Sequence, residues 1–191
     1  MKKKYFLLFT FISASVLLSA QQKKAVYCFH SINSLGLVNG DNAASAALQS
    51  VNGFKKGPWF AGVGVGIDYY LYRTVPLFAD MRYEFGKKKN KFFVYADGGI
   101  NFSWVQDQFY VQPLIWNGNR SNNFQNGLYT DAGFGYIVGM KKENGLVLSL
   151  GHSQKRLKEL IRRQDWRTSE WQTDINRYNL NRIVLKGGWR F

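Results

Sequence analysis

Hydrophobic and polar positions alternate one for one along most of this 191-residue chain. Between residues 59 and 70 the odd positions are Trp59, Ala61, Val63, Val65, Ile67 and Tyr69. The even positions are Phe60, Gly62, Gly64, Gly66, Asp68 and Tyr70. A period of two puts alternate side chains on opposite faces of a β-strand. The same plan returns with Val75, Leu77, Ala79, Met81, Tyr83 and Phe85 set against Phe78, Asp80, Arg82 and Glu84. It returns again in 91–104, 127–140 and 145–155, and in the closing run where Ile183, Leu185, Gly187, Trp189 and Phe191 oppose Arg182, Val184, Lys186, Gly188 and Arg190. Eight strands are predicted, near 24–38, 42–55, 58–71, 75–86, 91–104, 127–140, 145–155 and 176–191. Only the stretch 155–163 offers a helical competitor.

Alternation alone does not say which face points inward. A soluble lipocalin-like barrel keeps its apolar face inside, and a membrane barrel turns it outward. The polar face decides. It carries Gly, Ser, Asn and isolated charges rather than the Lys, Glu and Thr that cover a solvated sheet. Glycine suits a crowded interior. There Asp68, Asp80, Glu84, Asp97 and Asp131 are expected to meet Arg82, Arg182, Lys186 and Arg190, because an unpaired buried charge is costly.

Aromatic spacing points the same way. Trp59 and Tyr69 share a face ten residues apart, which in a strand tilted by roughly 45° covers about 23 Å. Such barrels carry an apolar band about 25 Å tall with aromatic girdles at both edges. Loop lengths set the topology. The connections at 55–58, 86–91 and 141–145 are short, whereas 105–125 and 154–177 are long. The fold class expected is therefore all-β: an eight-stranded antiparallel transmembrane β-barrel with short periplasmic turns and two long extracellular loops.

The amino terminus reads as an export signal. Met1 is followed by three lysines, then an apolar run from Tyr5 to Leu18 and a small residue, Ala20, before Gln21. That order is a secretory signal peptide over 1–20, and the run is shorter than the roughly 20 residues a spanning helix needs. The mature chain, 21–191, suits one domain. Cys28 is the single cysteine, so no internal disulfide forms, and two histidines with one cysteine argue against a zinc site. No metal or cofactor is expected. The formal charge of +14 falls to +11 without Lys2, Lys3 and Lys4. In an exported protein, lipid phosphates are the accessible partner for that charge, not nucleic acid.

These residues carry a resemblance. The Gly-rich run Trp59–Tyr70, Tyr95–Asn101, Asp131–Tyr136 and Arg182–Phe191 resemble small bacterial outer-membrane β-barrel proteins, of the porin-like outer membrane protein β-barrel class. The resemblance spans the mature chain and implies the bacterial outer membrane as location. It also implies that Trp189 and Phe191 form the carboxy-terminal signal read by the assembly machinery. It specifies architecture well and function poorly.

Three function classes remain. Some eight-stranded barrels deacylate or acylate lipid A, and the deacylase pattern sets His and Ser two residues apart on the lipid side. His152 and Ser153 are adjacent, so they point to opposite faces. His30-Ser31 has the same fault, and His30 with Ser34 or Asn33 stays open. No Ser-His-acid set is established, and a non-enzyme is expected. A wide pore is excluded, since eight strands leave an interior that side chains fill, here with Phe60, Tyr70, Phe78, Phe93 and Tyr95. A narrow channel for small solutes or ions is the alternative. The leading expectation is a structural or surface-interaction role with specificity in the loops. Within 154–177, Leu157, Leu160 and Ile161 follow helical spacing, and a strand extension or a flexible loop with solvated charges is the alternative. Lys155, Arg156, Lys158, Arg162 and Arg163 are candidate contacts to lipopolysaccharide in the outer-membrane lipid. Oligomeric state is not legible.

Overall fold

The computed structural model describes residues 27–41, 44–86, 89–104, 108–110, 120–140, 144–164, 168 and 170–191. The predicted signal peptide lies outside these residues. Ten strands run in the order β1 Cys28–Gly40, β2 Ala44–Lys56, β3 Trp59–Asp68, β4 Thr74–Phe85, β5 Lys91–Ser103, β6 Gln108–Tyr110, β7 Arg120–Gln125, β8 Gly127–Gly139, β9 Gly145–Gln164 and β10 Trp171–Arg190. Each of β1 to β4 pairs antiparallel with the next, β5 pairs with β8, β8 with β9, and β9 with β10. Pairing of β10 with β1, from Ile32↔Arg190 to Gly40↔Arg182, closes the ring. Eight strands thus form a closed barrel wall, the arrangement in which strands pair on both sides.

The faces sort as the alternation predicts. Leu35, Leu37, Val63, Val65, Met81, Phe134, Leu148 and Leu185 are exposed on the outside, while Phe60, Phe78, Phe93, Tyr95 and Tyr129 are buried within. Glycine makes the interior possible. A Cβ at Gly64 would enter the ring of Phe78, and one at Gly135 would enter the ring of Phe93. Aromatic bulk from one strand therefore fills the space that glycine leaves on its neighbour. Aromatics also ring the end where the short turns lie: Trp59 packs edge-on to Tyr83 at 4.8 Å, and Phe85 stacks near Phe92 at 6.0 Å. At the opposite end, the mouth, Arg73 lies over both Tyr69 and Trp104.

Of the readings open for Leu157, Leu160 and Ile161, a helical face, a strand extension or a flexible loop, the structure has the strand: these residues belong to β9, which is 20 residues long. Leu157 and Ile161 fit either period, since they are four apart. Leu160 separates the two, and it faces away from both. Leu157, Glu159 and Ile161 are buried while Arg156, Lys158 and Arg162 are exposed. β10 is equally long and pairs with β9 through Trp171↔Gln164. Much of 154–177, expected as loop, is thus strand. The other long connection contributes β6 and β7, with β7 laid on β9 from Arg120↔Arg163 to Gln125↔Lys158. A four-stranded tongue, in the order β10-β9-β7-β6, rises beyond the barrel mouth.

Candidate functional site

Three cations recur every fourth residue on the inner face of β10: Arg182, Lys186 and Arg190. This spacing places them about 13 Å apart along the strand. Each meets an acid from another strand. Arg190 reaches Glu84 at 2.7 Å, and Glu84 is shared with Lys55 at 2.5 Å and Lys91 at 3.4 Å. Lys186 bonds Asp131 at 2.8 Å and lies 3.8 Å from Asp97. Arg182 pairs with Asp68. Beside this ladder, Arg82 makes a forked contact with Asp80, its Nε and Nη2 both donating. The Arg82 guanidinium also lies over the rings of Phe60, Phe93 and Tyr95. Among the described residues six Asp or Glu and six Lys or Arg are buried, so buried charges of the two signs are equal in number. Opposed charges held this closely offset much of their desolvation cost.

All nine residues read from the sequence as an interior charge group, Asp68, Asp80, Arg82, Glu84, Asp97, Asp131, Arg182, Lys186 and Arg190, lie buried in the lumen. Sequence reasoning missed Lys55, Lys155 and Glu159. Lys55 stands next to Lys56 at what reads as a solvated turn. Its parity with Ala47, Gln49 and Val51 on β2 is the signal that places it inside.

The lumen is crossed as well as lined. Gln49 donates from Nε2 to the Tyr129 hydroxyl at 2.7 Å, linking β2 to β8, and accepts from Lys186 Nζ at 3.2 Å. Two interior cavities border Gln49, each of about 10 Å³, room for about one water apiece. The mouth is stoppered too. Lys155 sends Nζ to the carbonyls of Tyr70 at 2.9 Å and Tyr72 at 2.8 Å, and lies 3.5 Å from Asp68. This holds the β3–β4 connection across the opening, with Leu71 in the left-handed region at φ 56° and Tyr70 buried against Val38, Ala47 and Val184.

Above the stopper, Tyr72 packs against Phe124 at 4.7 Å and Tyr178 at 5.3 Å. Glu159 ties the tongue together. It accepts from the Tyr178 hydroxyl at 2.7 Å, Asn122 Nδ2 at 2.9 Å and Asn176 Nδ2 at 3.3 Å. The hydrogen bond with Tyr72, then burial and Glu159, raise the pKa of Tyr178, so its phenol stays protonated.

The five candidate lipopolysaccharide contacts do not share one surface. Lys155 is withdrawn from that set: it is fully buried and spends its ammonium on the stopper. Arg156, Lys158 and Arg162 are exposed on the outer face of β9. Arg163 is exposed on the other face, 3.8 Å from Asp174. Arg177, opposite Lys158 in the register, joins the outer group. Ser153 is buried, accepting from Arg182 Nη2 at 2.8 Å, whereas His152 is exposed. His30 faces the lumen and Asn33 the outside, and Ser34 lies about 13 Å along the strand from His30. His152 and Ser153 thus point to opposite faces, as do His30 and Asn33. Trp189 and Phe191 are exposed on the outer face at the turn end of β10. Cys28 is a half-buried free thiol at the start of β1.

No protein-family model matches the sequence, and no curated protein sequence matches it. Solved structures do. A major outer membrane protein from Thermus thermophilus aligns with a TM-score of 0.53 at 14% identity, covering 86% of this chain and 100% of that one. Neisserial surface protein A aligns at 0.51 with 12% identity, covering 88% and 98%. This chain has the fold of the bacterial outer-membrane β-barrels. The outer membrane protein AlkL, studied in lipid bilayers, aligns at 0.47 with 10% identity, covering 88% and 90%.

Proposed function

We propose that this chain is an outer-membrane β-barrel without enzymatic activity, with a structural or surface-interaction role, in which the tongue presents the interaction surface. The inverted pattern supports membrane residence, with apolar side chains outside and paired charges inside. The observation that carries the functional reading is the blocked lumen. Gln49–Tyr129, Lys186–Asp131 and Arg182–Asp68 all cross it, and Lys155 pins the stopper at its mouth. A barrel so filled acts through its surface. In this reading the signal peptide is removed after Ala20, the turns face the periplasm and the tongue faces outward. Arg156, Lys158, Arg162 and Arg177 then stand beyond the apolar band, whose outer face on β9 ends at Leu150, at heights from about 14 to about 28 Å above that residue in a strand tilted by roughly 45°. In this reading Arg156, the lowest of the four, is nearest the phosphates of lipopolysaccharide. Each basic residue near an anionic membrane surface contributes about 1 kcal/mol.

The test sets conductance against binding. The refolded mature chain is placed in a planar bilayer, and the same preparation is titrated with lipopolysaccharide. Binding without conductance is expected. Steady unitary currents at neutral pH would replace this reading with a narrow channel. Recovery of the native protein in the soluble periplasm, with no heat-dependent gel shift, would remove the membrane reading itself.

A further inference from the structure

One part of the barrel wall breaks the apolar pattern. On β1 the outer face runs Phe29, Ser31, Asn33, Leu35, Leu37, and on β2 it runs Leu48, Ser50, Asn52, Phe54. The register sets Asn33 opposite Ser50 and Ser31 opposite Asn52. On one side Ser50 pairs with Val65 and Asn52 with Val63, at the middle of the stretch between Trp59 and Tyr69; on the other Asn33 pairs with Trp189 of the turn-end girdle. Asn33, Ser50 and Asn52 therefore form a polar block in the turn-side half of the band, with Ser31 buried beside it and apolar residues above and below. The outer faces of β3 from Trp59 to Tyr69, of β4 from Val75 to Phe85 and of β5 from Phe92 to Phe102 carry no such block. Asn33 and Asn52 are exposed, and Asn52 donates to Ser50 at 3.4 Å. The block borders a depression of about 900 Å³ in the wall, lined in part by Leu35, Leu48, Ser50, Gly187 and Trp189. Around Gly187 the surface is open: a Cβ there would approach only Leu148, at 3.7 Å.

Hydrocarbon offers no partner for a carboxamide, and an amide or hydroxyl left without one there is costly. The chemistry of the block says what covers it. Two copies inserted in the same direction can be related by a two-fold axis only if that axis stands along the membrane normal. Such an axis keeps depth, so a residue beside it meets its own copy. Asn and Ser each donate and accept, so each can bond its own counterpart. A lysine or aspartate there would meet its own charge. The notch at Gly187 lets the two walls approach. We propose that the β10-β1-β2 wall is a homodimer interface within the membrane, with Asn33, Ser50 and Asn52 hydrogen-bonded across a two-fold axis. The inference rests on the membrane-barrel reading above.

The experiment uses the mature chain refolded in phosphatidylcholine vesicles, with donor- and acceptor-labelled populations mixed over a range of protein-to-lipid ratios. Energy transfer should saturate as a dimer for the wild type. The double variant Asn33→Leu/Asn52→Leu should raise the dissociation constant by about tenfold or more, since each hydrogen bond lost inside a bilayer is worth on the order of 1 kcal/mol. In a Cys28→Ser background, Asn33→Cys should give a homodimer band on copper–phenanthroline oxidation, and Met81→Cys on the far wall should not. Background transfer at every ratio would overturn the proposal, as would unchanged dimerisation of the double variant. Cross-linking of Asn33→Cys only to a different protein in native outer membrane would overturn it too. The heat-dependent gel shift of each sample separates the readings: its loss in the wild type would count against the membrane barrel, its retention with no dimer against the interface alone.

Discussion

Phe191 and Ser31 exchange both of their backbone hydrogen bonds, at 2.8 and 3.0 Å, and so make the last rung of the seam between β10 and β1. The terminal residue therefore does two separate things. Its backbone closes the ring, and its exposed ring extends the aromatic girdle of Trp59, Tyr83 and Phe85. Deleting Phe191 removes both contributions, whereas Phe191→Asp removes the ring and sets a charge at the band edge. The folded, heat-shifted fraction after refolding into vesicles should fall in the order wild type, Phe191→Leu, Phe191→Asp, deletion. Thr168→Asp, at an exposed site in the tongue, should match the wild type. Equal yields across the series would show that the seam is sealed without its last residue.

The interior acids are not equivalent, and the geometry ranks them. Asp68 serves both Arg182 and Lys155, so Asp68→Ala strands two buried cations. Removing one member of a buried pair costs about 3–5 kcal/mol, and the denaturant midpoint should drop accordingly. Asp97 lies 3.8 Å from Lys186, and neither of its carboxylate oxygens is hydrogen-bonded among the described residues. Lys186 keeps Asp131 when Asp97 is lost. Asp97→Asn should therefore change stability by less than about 1 kcal/mol, or raise it. A larger loss for Asp97→Asn than for Asp68→Ala would reverse this ranking.

Gly64 and Phe78 test the packing of the lumen. The nearest atoms a methyl group would meet at Gly64 are all in the Phe78 ring. Gly64→Ala should cost about 1–3 kcal/mol by overpacking. In a Phe78→Leu background the same substitution should cost clearly less, giving a coupling energy of about 0.5–3 kcal/mol. Additive losses would mean that the ring moves aside freely.

Period-two alternation made most of the barrel legible, because a wall strand has one lipid-type face and one filled face and so constrains every residue. β3 ends at Asp68, close to its expected limit. The tongue was less legible for the same reason. Leu157 and Ile161 suit a strand and a helix equally, and only Leu160 distinguishes them. Pairing across the lumen was not legible at all. Gln49 meets Tyr129 across 80 residues of sequence, and nothing local to either residue encodes that contact. Lys55 and Lys155 were misplaced because lysine is usually solvated. Strand parity turns them inward once β2 and β9 are seen to run on through them.

The outer face of the tongue sets Lys158 directly opposite Arg177, with Arg156 two residues along β9. Like charges opposed across a strand pair repel, and an anionic surface relieves that repulsion. Replacing Arg156, Lys158, Arg162 and Arg177 with Gln should weaken binding of the refolded barrel to lipopolysaccharide and flatten its salt dependence, because screening acts on exposed charges. Arg163→Gln, on the opposite face beside Asp174, should leave the binding curve unchanged. Lys155 must be left intact in this comparison, since it holds the stopper rather than the lipid. Variant and wild-type curves that coincide at low and high salt would mean that the outer charges of the tongue have no phosphate partner.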